Sequence, residues 1–217
     1  MSKFDLEKPP STRNLDPHEL RFDCNMALKF LRMPPDAARS EQIREHLTAL
    51  HTQLCHAFQP RFRYCILSIE TAKAPDVVVL QNEITAFAGK AIYRRLARTH
   101  AAVLFCVTVG DDYAADMDGE DARFDAIFID AVASTMVQAA LKVLSNSVEG
   151  ELKRQNFKLT PRISPGYPGW DLAEQAKLFD LLKPDEIGVH LSSTYFMTPQ
   201  KSISGVFGIV PLNKGRL

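Results

Sequence analysis

A nine-residue stretch, RISPGYPGW at residues 162–170, concentrates the side chains best suited to hold a small ligand. Arg162 offers a planar guanidinium that pairs with a carboxylate or a phosphate. Tyr167 and Trp170 supply aromatic faces that stack on a purine or lie near a cation. The prolines and glycines fix some backbone angles and allow close approach of the backbone at others. The stretch predicts a rigid loop for a small ligand that is both anionic and aromatic.

A purely structural role for the same loop stays open. On that interpretation the loop caps the helix that follows it, and Trp170 belongs to the hydrophobic core. The sequence has no Gly-x-Ser-x-Gly motif, and neither Gly-x-Gly-x-x-Gly nor a P-loop follows the segment VTVGDD at residues 107–112. Hydrolase chemistry and classical dinucleotide binding are therefore disfavoured.

Metal binding also finds little support. His51 and Cys55 lie four residues apart on a predicted helix and could share a metal ion, but no third ligand is indicated. The acidic stretch at 115–125 matches the calcium loop at its third, fifth and sixth positions, yet Ala114 stands at the first position and Asp125 replaces the glutamate at the twelfth. We predict no metal site and a solvated helix entry at this stretch.

Composition excludes several classes of protein. Lys and Arg together number 26, as do Asp and Glu, so the zero net charge disfavours a nucleic-acid partner. No apolar run approaches about 20 residues, and the polar, proline-rich start lacks a signal peptide. We therefore expect a cytoplasmic protein without a membrane partner. The scattered cysteines contain no Cys-x-x-Cys pair and are expected to be small buried hydrophobes: Cys24, Cys55, Cys65 and Cys106.

Hydrophobic periodicity predicts an α+β fold, a single domain with helices packed on a mostly antiparallel β-sheet. Residues 1–16 are expected to be a mobile lead and residues 17–217 the domain. The predicted helices span about 17–31, 37–58, 83–99, 121–150 and 171–182. In the long helix, Gly150 is expected to be the terminator, and the inward side chains are Phe124, Ile127, Phe128, Ala131, Met136, Ala140, Leu141 and Leu144. The predicted strands span 63–70, 76–82, 101–110, 187–197 and 201–210.

Three motifs in order, RISPGYPGW, AKLFDLL and GVHLSSTYFMTPQKSISGVFGI, resemble the S-adenosylmethionine-binding reactivation domain of cobalamin-dependent methionine synthase. The resemblance is dense over residues 162–209 and looser over 105–150. It implies that Arg162 binds the carboxylate of S-adenosylmethionine. It further implies that the adenosyl pocket is shaped by Ser164, Pro165, Gly166, Tyr167 and Pro168. At the family's Thr-Glu-Ser motif, Ser193 stands in place of the glutamate and is followed by Thr194.

The resemblance implies a stand-alone protein that binds S-adenosylmethionine and supports reductive methylation of a cob(II)alamin-containing methyltransferase. The expected partners are a methionine synthase lacking its own activation domain, which carries the cobalamin, and a flavodoxin- or ferredoxin-type electron donor. No catalytic residue is expected, because the corrinoid supplies the chemistry and the domain supplies placement. The alternatives are a non-catalytic docking module for a corrinoid protein and a reactivator of a different corrinoid methyltransferase.

Overall fold

An antiparallel β-sheet forms the centre of the computed structural model, which describes residues 7–34, 40–74, 76–80, 85–114 and 120–212. The described strands are β1 (Lys8–Asn14), β2 (Arg61–Ala74), β3 (Val77–Leu80), β4 (Ala86–Ala88), β5 (Ala101–Thr108), β6 (Phe157–Leu159), β7 (His190–Leu191), β8 (Met197–Thr198) and β9 (Ser202–Pro211). The described α-helices are α1 (Cys24–Phe30), α2 (Ser40–Leu54), α3 (Lys90–Leu96), α4 (Glu120–Lys153) and α5 (Gln175–Leu182).

The main sheet has the strand order β4-β3-β2-β5-β9-β6, with β1 paired to β2, while β7 and β8 form a separate hairpin. Each pair is antiparallel. The predicted α+β architecture with a mostly antiparallel sheet is therefore confirmed.

Strand β5 is buried on both faces of the sheet, which explains its uninterrupted apolar sequence AAVLFCVT. Val103, Phe105 and Val107 belong to one core, which α1, α2 and α4 cover. Leu104 and Cys106 belong to a second core on the opposite face, with α3 and α5. Because successive side chains of a strand point to opposite faces, one strand supplies both cores.

Over residues 8–14, a β-strand replaces the predicted mobile lead of residues 1–16, and residues 1–6 lie outside the described part. Strand β1 pairs with β2 from Lys8 to Asn14. Side chains of β2 also hold it, because Arg63 donates to the Thr12 hydroxyl at 2.9 Å and Lys8 donates to the hydroxyl of Tyr64. The strand is polar and contains prolines, so its order depends on partners that lie far away in sequence.

The first predicted helix is interrupted. A short 3-10 helix, Pro17–Glu19, is capped by Asp16 as expected, but α1 begins afresh at Cys24 because the Asp23 carboxylate accepts a hydrogen bond from the Met26 backbone at 3.2 Å. Helix α2 is confirmed, since its apolar stripe is buried: Leu47, Leu50, Leu54 and, beyond the helix, Phe58.

The segment predicted as a helix over 83–99 contains β4 as well as α3. Gly89 separates the two elements with a φ of 145°, and a Cβ there would lie 2.6 Å from the carbonyl oxygen of Gly169. Only glycine fits this position, because it combines a rare backbone angle with a close approach to the loop at residues 162–170.

Helix α4 continues past Gly150 to Lys153, so the predicted terminator is wrong. Ile127 is 67% exposed rather than inward. The side chain of Phe124 and the glycine and acids of residues 115–119 lie outside the described part. The other predicted inward positions are buried or, for Phe128, half-buried: Phe128, Ala131, Met136, Ala140, Leu141 and Leu144.

From Ala126 to Lys153, α4 is long and apolar enough to cross a membrane by length and composition alone. This differs from the expectation that no apolar run reaches such a length. In the structure 56% of its apolar window is buried, and its inward residues are part of the core shared with α1, α2 and the sheet.

The segment at 187–197 does not form the predicted strand of the main sheet. It contributes β7, a turn at residues 192–196 and the start of β8. The reason is local, because the Ser192 hydroxyl accepts hydrogen bonds from the backbone of Thr194 at 3.3 Å and of Phe196 at 3.0 Å. These bonds favour a turn over an extended chain.

Candidate functional site

The loop at residues 162–170 is fixed to strand β9 beyond the point where β6 ends. Ile163 and Val206 exchange two backbone hydrogen bonds, at 3.0 and 2.8 Å. The Ser164 hydroxyl donates to the Ser204 carbonyl at 2.6 Å. This approach requires Gly205, because a Cβ there would lie 2.6 Å from the Ile163 carbonyl oxygen. The predicted rigid loop therefore has a structural basis in the glycine of the facing strand.

Within the loop, two glycines with a φ of 86°, Gly166 and Gly169, make the turns. The Gly166 amide donates to the Trp170 carbonyl at 2.9 Å, and the Gly169 carbonyl accepts from Ala91 of α3 at 3.0 Å. Trp170 is only 2% exposed. Its ring meets Phe87 edge-on, with centroids 5.6 Å apart. Trp170 is thus a core residue, and the prediction that it offers a ligand-facing ring is wrong.

A 3-10 helix, Leu172–Glu174, lies between the loop and α5 and is capped by Asp171. The Asp171 carboxylate accepts from the Ala173 backbone at 2.8 Å, as its position predicts. Glu174 does not complete a capping box; its carboxylate instead accepts from the Ala88 backbone at 2.9 Å and pairs with Lys177 at 2.7 Å. Glu174 therefore joins α5 to β4 and fixes the helix beside the loop.

A cavity of about 490 Å³ opens between the loop, α4, α5 and the start of β9. Its volume lies in the usual range for small-molecule sites, roughly 300–1,000 Å³. The described lining residues are Gln138, Arg162, Ser164, Pro165, Tyr167, Leu172, Gln175, Tyr195, Phe196, Met197, Thr198, Gln200, Ser202, Ile203 and Ser204. Of these, Arg162 alone is charged, so the described wall carries one positive charge and no carboxylate.

Arg162 has unused hydrogen-bonding capacity at this cavity. Its Nη1 atom is buried and has no hydrogen-bond partner among the described residues. Leaving such a donor unsatisfied costs about 1–3 kcal/mol, and more where the group is charged. Arg162 also lines the cavity. Its planar guanidinium suits a carboxylate, so an anionic ligand that reaches this group would supply an acceptor.

Another part of the wall is the turn at residues 192–196, which Gln175 of α5 holds in place. Gln175 is 4% exposed. Its amide nitrogen donates to the Tyr195 carbonyl at 3.0 Å, and its amide oxygen accepts from the Ser204 hydroxyl at 3.0 Å. One buried side chain thus links the turn, α5 and β9.

The structure brings together only part of the predicted site. Arg162, Ser164, Pro165 and Tyr167 line the cavity, whereas Gly166, Pro168, Ser193 and Thr194 are not among its lining residues. Gly166 turns the loop, and Thr194 is bonded within its own turn through the Ser192 hydroxyl.

Sequence reasoning missed several lining residues, chiefly Gln138, Gln175, Tyr195, Phe196 and Ser204. A signal existed for two of them, because Tyr195 and Phe196 are bulky aromatic residues inside the polar segment SSTYFMTPQ. Gln138 and Gln175 carry no such signal, since glutamine on a helix is ordinary on a solvated surface.

Outside the cavity, the described titratable groups with a shifted pKa include buried cysteines and one histidine. Burial raises the pKa of the Cys65 and Cys106 thiols to about 12, which disfavours the nucleophilic thiolate. The Cys55 sulfur lies 3.6 Å from Nδ1 of His18, and burial lowers the pKa of His51. Among the described residues, no group of three or more His, Cys, Asp or Glu side chains has the geometry to hold a metal ion.

The comparisons with known proteins agree with this fold. One solved structure, described as the crystal structure of the MetH reactivation domain bound to AdoHcy, superposes with a TM-score of 0.73 at 16% identity, covering 100% of this chain and 85% of that chain. No curated protein matches the sequence. The family described as "Vitamin B12 dependent methionine synthase, activation domain" matches residues 93–213. This match spans more than half of the chain, which therefore belongs to the activation-domain family of vitamin B12-dependent methionine synthase.

Proposed function

We propose that this protein binds S-adenosylmethionine in the cavity at the loop 162–170 and supports reductive methylation of a cob(II)alamin-containing methyltransferase. The observation that carries the proposal is Arg162, the one charged residue among the described cavity walls, with a buried and unpartnered Nη1 atom. The ligand carboxylate would accept from this guanidinium. The solved relative was crystallised with the demethylated form of the same ligand.

The chain's own residues supply binding and orientation. Ser164 and Ser204 hold the loop against β9, so the loop backbone is in place before a ligand arrives. Tyr167 is 44% exposed and lines the cavity. Because the described lining lacks a carboxylate, the sulfonium of a bound ligand would find no negatively charged side chain there.

The reaction divides the work between the domain and its partners. S-adenosylmethionine supplies the methyl group, an external donor supplies one electron, and S-adenosylhomocysteine leaves when the methyl group is on the partner's cobalt. The domain needs no acid or base for this step, and the described residues around the cavity offer no titratable pair. The partner in the proposal is a methionine synthase that lacks its own activation domain. The electron donor is of the flavodoxin or ferredoxin type, and the setting is the cytoplasm.

The test is a reconstituted methyl transfer. A methionine synthase deprived of its activation domain is held as cob(II)alamin and mixed with this protein, a chemical reductant and methyl-labelled S-adenosylmethionine. We expect label on the cobalamin only when this protein is present. Arg162→Ala should lower the rate by about 10-fold or more, because hydrogen bonds to a charged group contribute roughly 1.5–3 kcal/mol.

Three results would reject parts of the proposal. Equal label transfer with and without this protein would remove its role in reactivation. Tight association with the corrinoid protein, without ligand binding or methyl transfer, would favour the docking module. Transfer to another corrinoid protein, but not to methionine synthase, would assign the domain to a different methyltransferase.

A further inference from the structure

We propose that the Tyr195–Phe196 pair forms the aromatic wall that recognises the adenine base of the ligand. This inference rests on the proposed function, and it assigns base recognition to two residues of the turn that were not among the predicted site residues. Phe196 is 67% exposed and Tyr195 is 37% exposed. Both line the cavity. Trp170, the other aromatic residue considered for stacking on the base, is buried in the core.

A single exposed hydrophobic residue is ordinary, but several exposed aromatic residues around one cavity indicate a binding surface. Among the described residues, large hydrophobic side chains are mostly buried, and Phe196 and Ile127 are the most exposed exceptions. Ile127 is not among the described lining residues of the cavity, whereas Phe196 joins Tyr195 and Tyr167 there. Aromatic faces grouped in this way stack well on a planar base.

The turn that carries these residues is held rigidly. Tyr195 has a φ of 64°, which is uncommon for a residue with a bulky side chain. The Ser192 amide donates to the Phe196 carbonyl at 2.9 Å and the Tyr195 amide donates to the Ser192 carbonyl at 3.0 Å. Gln175 binds the Tyr195 carbonyl from the buried side. A strained conformation kept by so many contacts indicates a wall that is set before binding.

The polarity of the cavity indicates how the ligand lies in it. Arg162 comes from the loop and offers the one cationic group of the described lining, so it selects the carboxylate end. The Tyr195–Phe196 turn belongs to a different wall and offers neutral aromatic surface. A ligand with a carboxylate at one end and a base at the other satisfies both walls.

The test compares two ligands that differ only in the base. S-adenosylhomocysteine carries adenine, and S-ribosylhomocysteine has a hydroxyl group in its place. We expect Phe196→Ala to weaken S-adenosylhomocysteine binding by roughly 5- to 150-fold, the range of one base stacked on one aromatic side chain. The affinity for S-ribosylhomocysteine should fall far less, so the variant should show little preference for the ligand that carries adenine. Phe196→Tyr should retain the preference.

Ile127→Ala is the matched control, because Ile127 has the same exposed fraction as Phe196. It lies 11 residues before Gln138 on α4, roughly 16 Å along the helix. This variant should bind both ligands as the wild type does.

Three outcomes would overturn the assignment. If Phe196→Ala binds S-adenosylhomocysteine with wild-type affinity while Arg162→Ala does not, the proposed function stands and the aromatic wall is rejected. If Phe196→Ala weakens S-adenosylmethionine but not S-adenosylhomocysteine, the ring serves the sulfonium rather than the base. If the wild-type protein binds neither adenosyl ligand, both the proposed function and the aromatic wall fail.

Discussion

At the scale of single residues, Gly205 controls how closely the loop at residues 162–170 approaches the sheet. A Cβ at this position would lie 2.6 Å from the Ile163 carbonyl, 2.8 Å from the Ser164 hydroxyl and 3.1 Å from the Phe105 ring. Gly205→Ala should therefore destabilise the protein by about 1–3 kcal/mol, as overpacking does. The shifted loop should also weaken ligand binding. Urea unfolding and titration with S-adenosylhomocysteine measure the two effects.

Gly150→Ala is the matched control for the same chemical change. Gly150 lies inside α4, and a Cβ there meets nothing within 4 Å. Alanine should stabilise this helix by roughly 0.5–1 kcal/mol relative to glycine. If Gly205→Ala raises the free energy of unfolding as Gly150→Ala does, the close contacts at Gly205 do not restrict the side chain at this position.

The site could be predicted at some residues and not at others. Arg162 and Tyr167 stand out in sequence because a cation and an aromatic ring lie within one proline- and glycine-rich loop. Trp170 has the same signal, yet it packs against Phe87, a contact across 83 residues that no local pattern reveals. Gln175 escapes prediction because its importance comes from burial between two distant elements.

At the scale of elements, Arg63 joins parts of the fold that are distant in sequence. It is 8% exposed. Its guanidinium donates to the Leu182 carbonyl at the end of α5, to Thr12 of β1 and to Glu186 at 2.9 Å. Arg63→Ala should lower the free energy of unfolding by about 2–3 kcal/mol, because it leaves a cavity and an unsatisfied carbonyl.

Glu186→Ala separates the buried contacts of Arg63 from its ion pair. The Glu186 side chain is 60% exposed, so water replaces the carboxylate and the cost should be about 1 kcal/mol or less. Thermal unfolding of both variants tests this ranking. An equal loss in the two variants would mean that the ion pair, rather than the hydrogen bonds to β1 and α5, stabilises this junction.

Elements with a strong period could be predicted, and those fixed by distant partners could not. The apolar stripe of α2 and the continuous apolar run of β5 correspond to their burial. Strand β1 is polar, and its backbone hydrogen bonds depend on pairing with β2. The predicted strand at 187–197 is interrupted by a turn that the Ser192 hydroxyl stabilises. The short β4 is separated from α3 by Gly89. Only glycine fits there, because the backbone lies against Gly169 of the loop at residues 162–170, a contact that the local sequence does not reveal.

At the scale of the whole molecule, the cavity lies where the two faces of the sheet meet. Gln138 reaches it from α4 on one face and Gln175 from α5 on the other, beside the part of β9 that β6 leaves uncovered. The cavity therefore lies at the sheet edge, and in the proposed function a ligand bound there would be accessible to a large partner. This arrangement suits a protein that positions a methyl donor for chemistry carried out elsewhere.

The most direct test of this account is calorimetric titration of S-adenosylhomocysteine into the purified protein, beside Arg162→Ala and the charge-matched control Arg154→Ala. Arg154 is exposed and is not among the lining residues. We predict saturable binding to the wild type and to Arg154→Ala, and affinity at least about 10-fold weaker for Arg162→Ala. Absence of binding to the wild type, or equal affinity in Arg162→Ala, would contradict the assignment of this cavity as the ligand site.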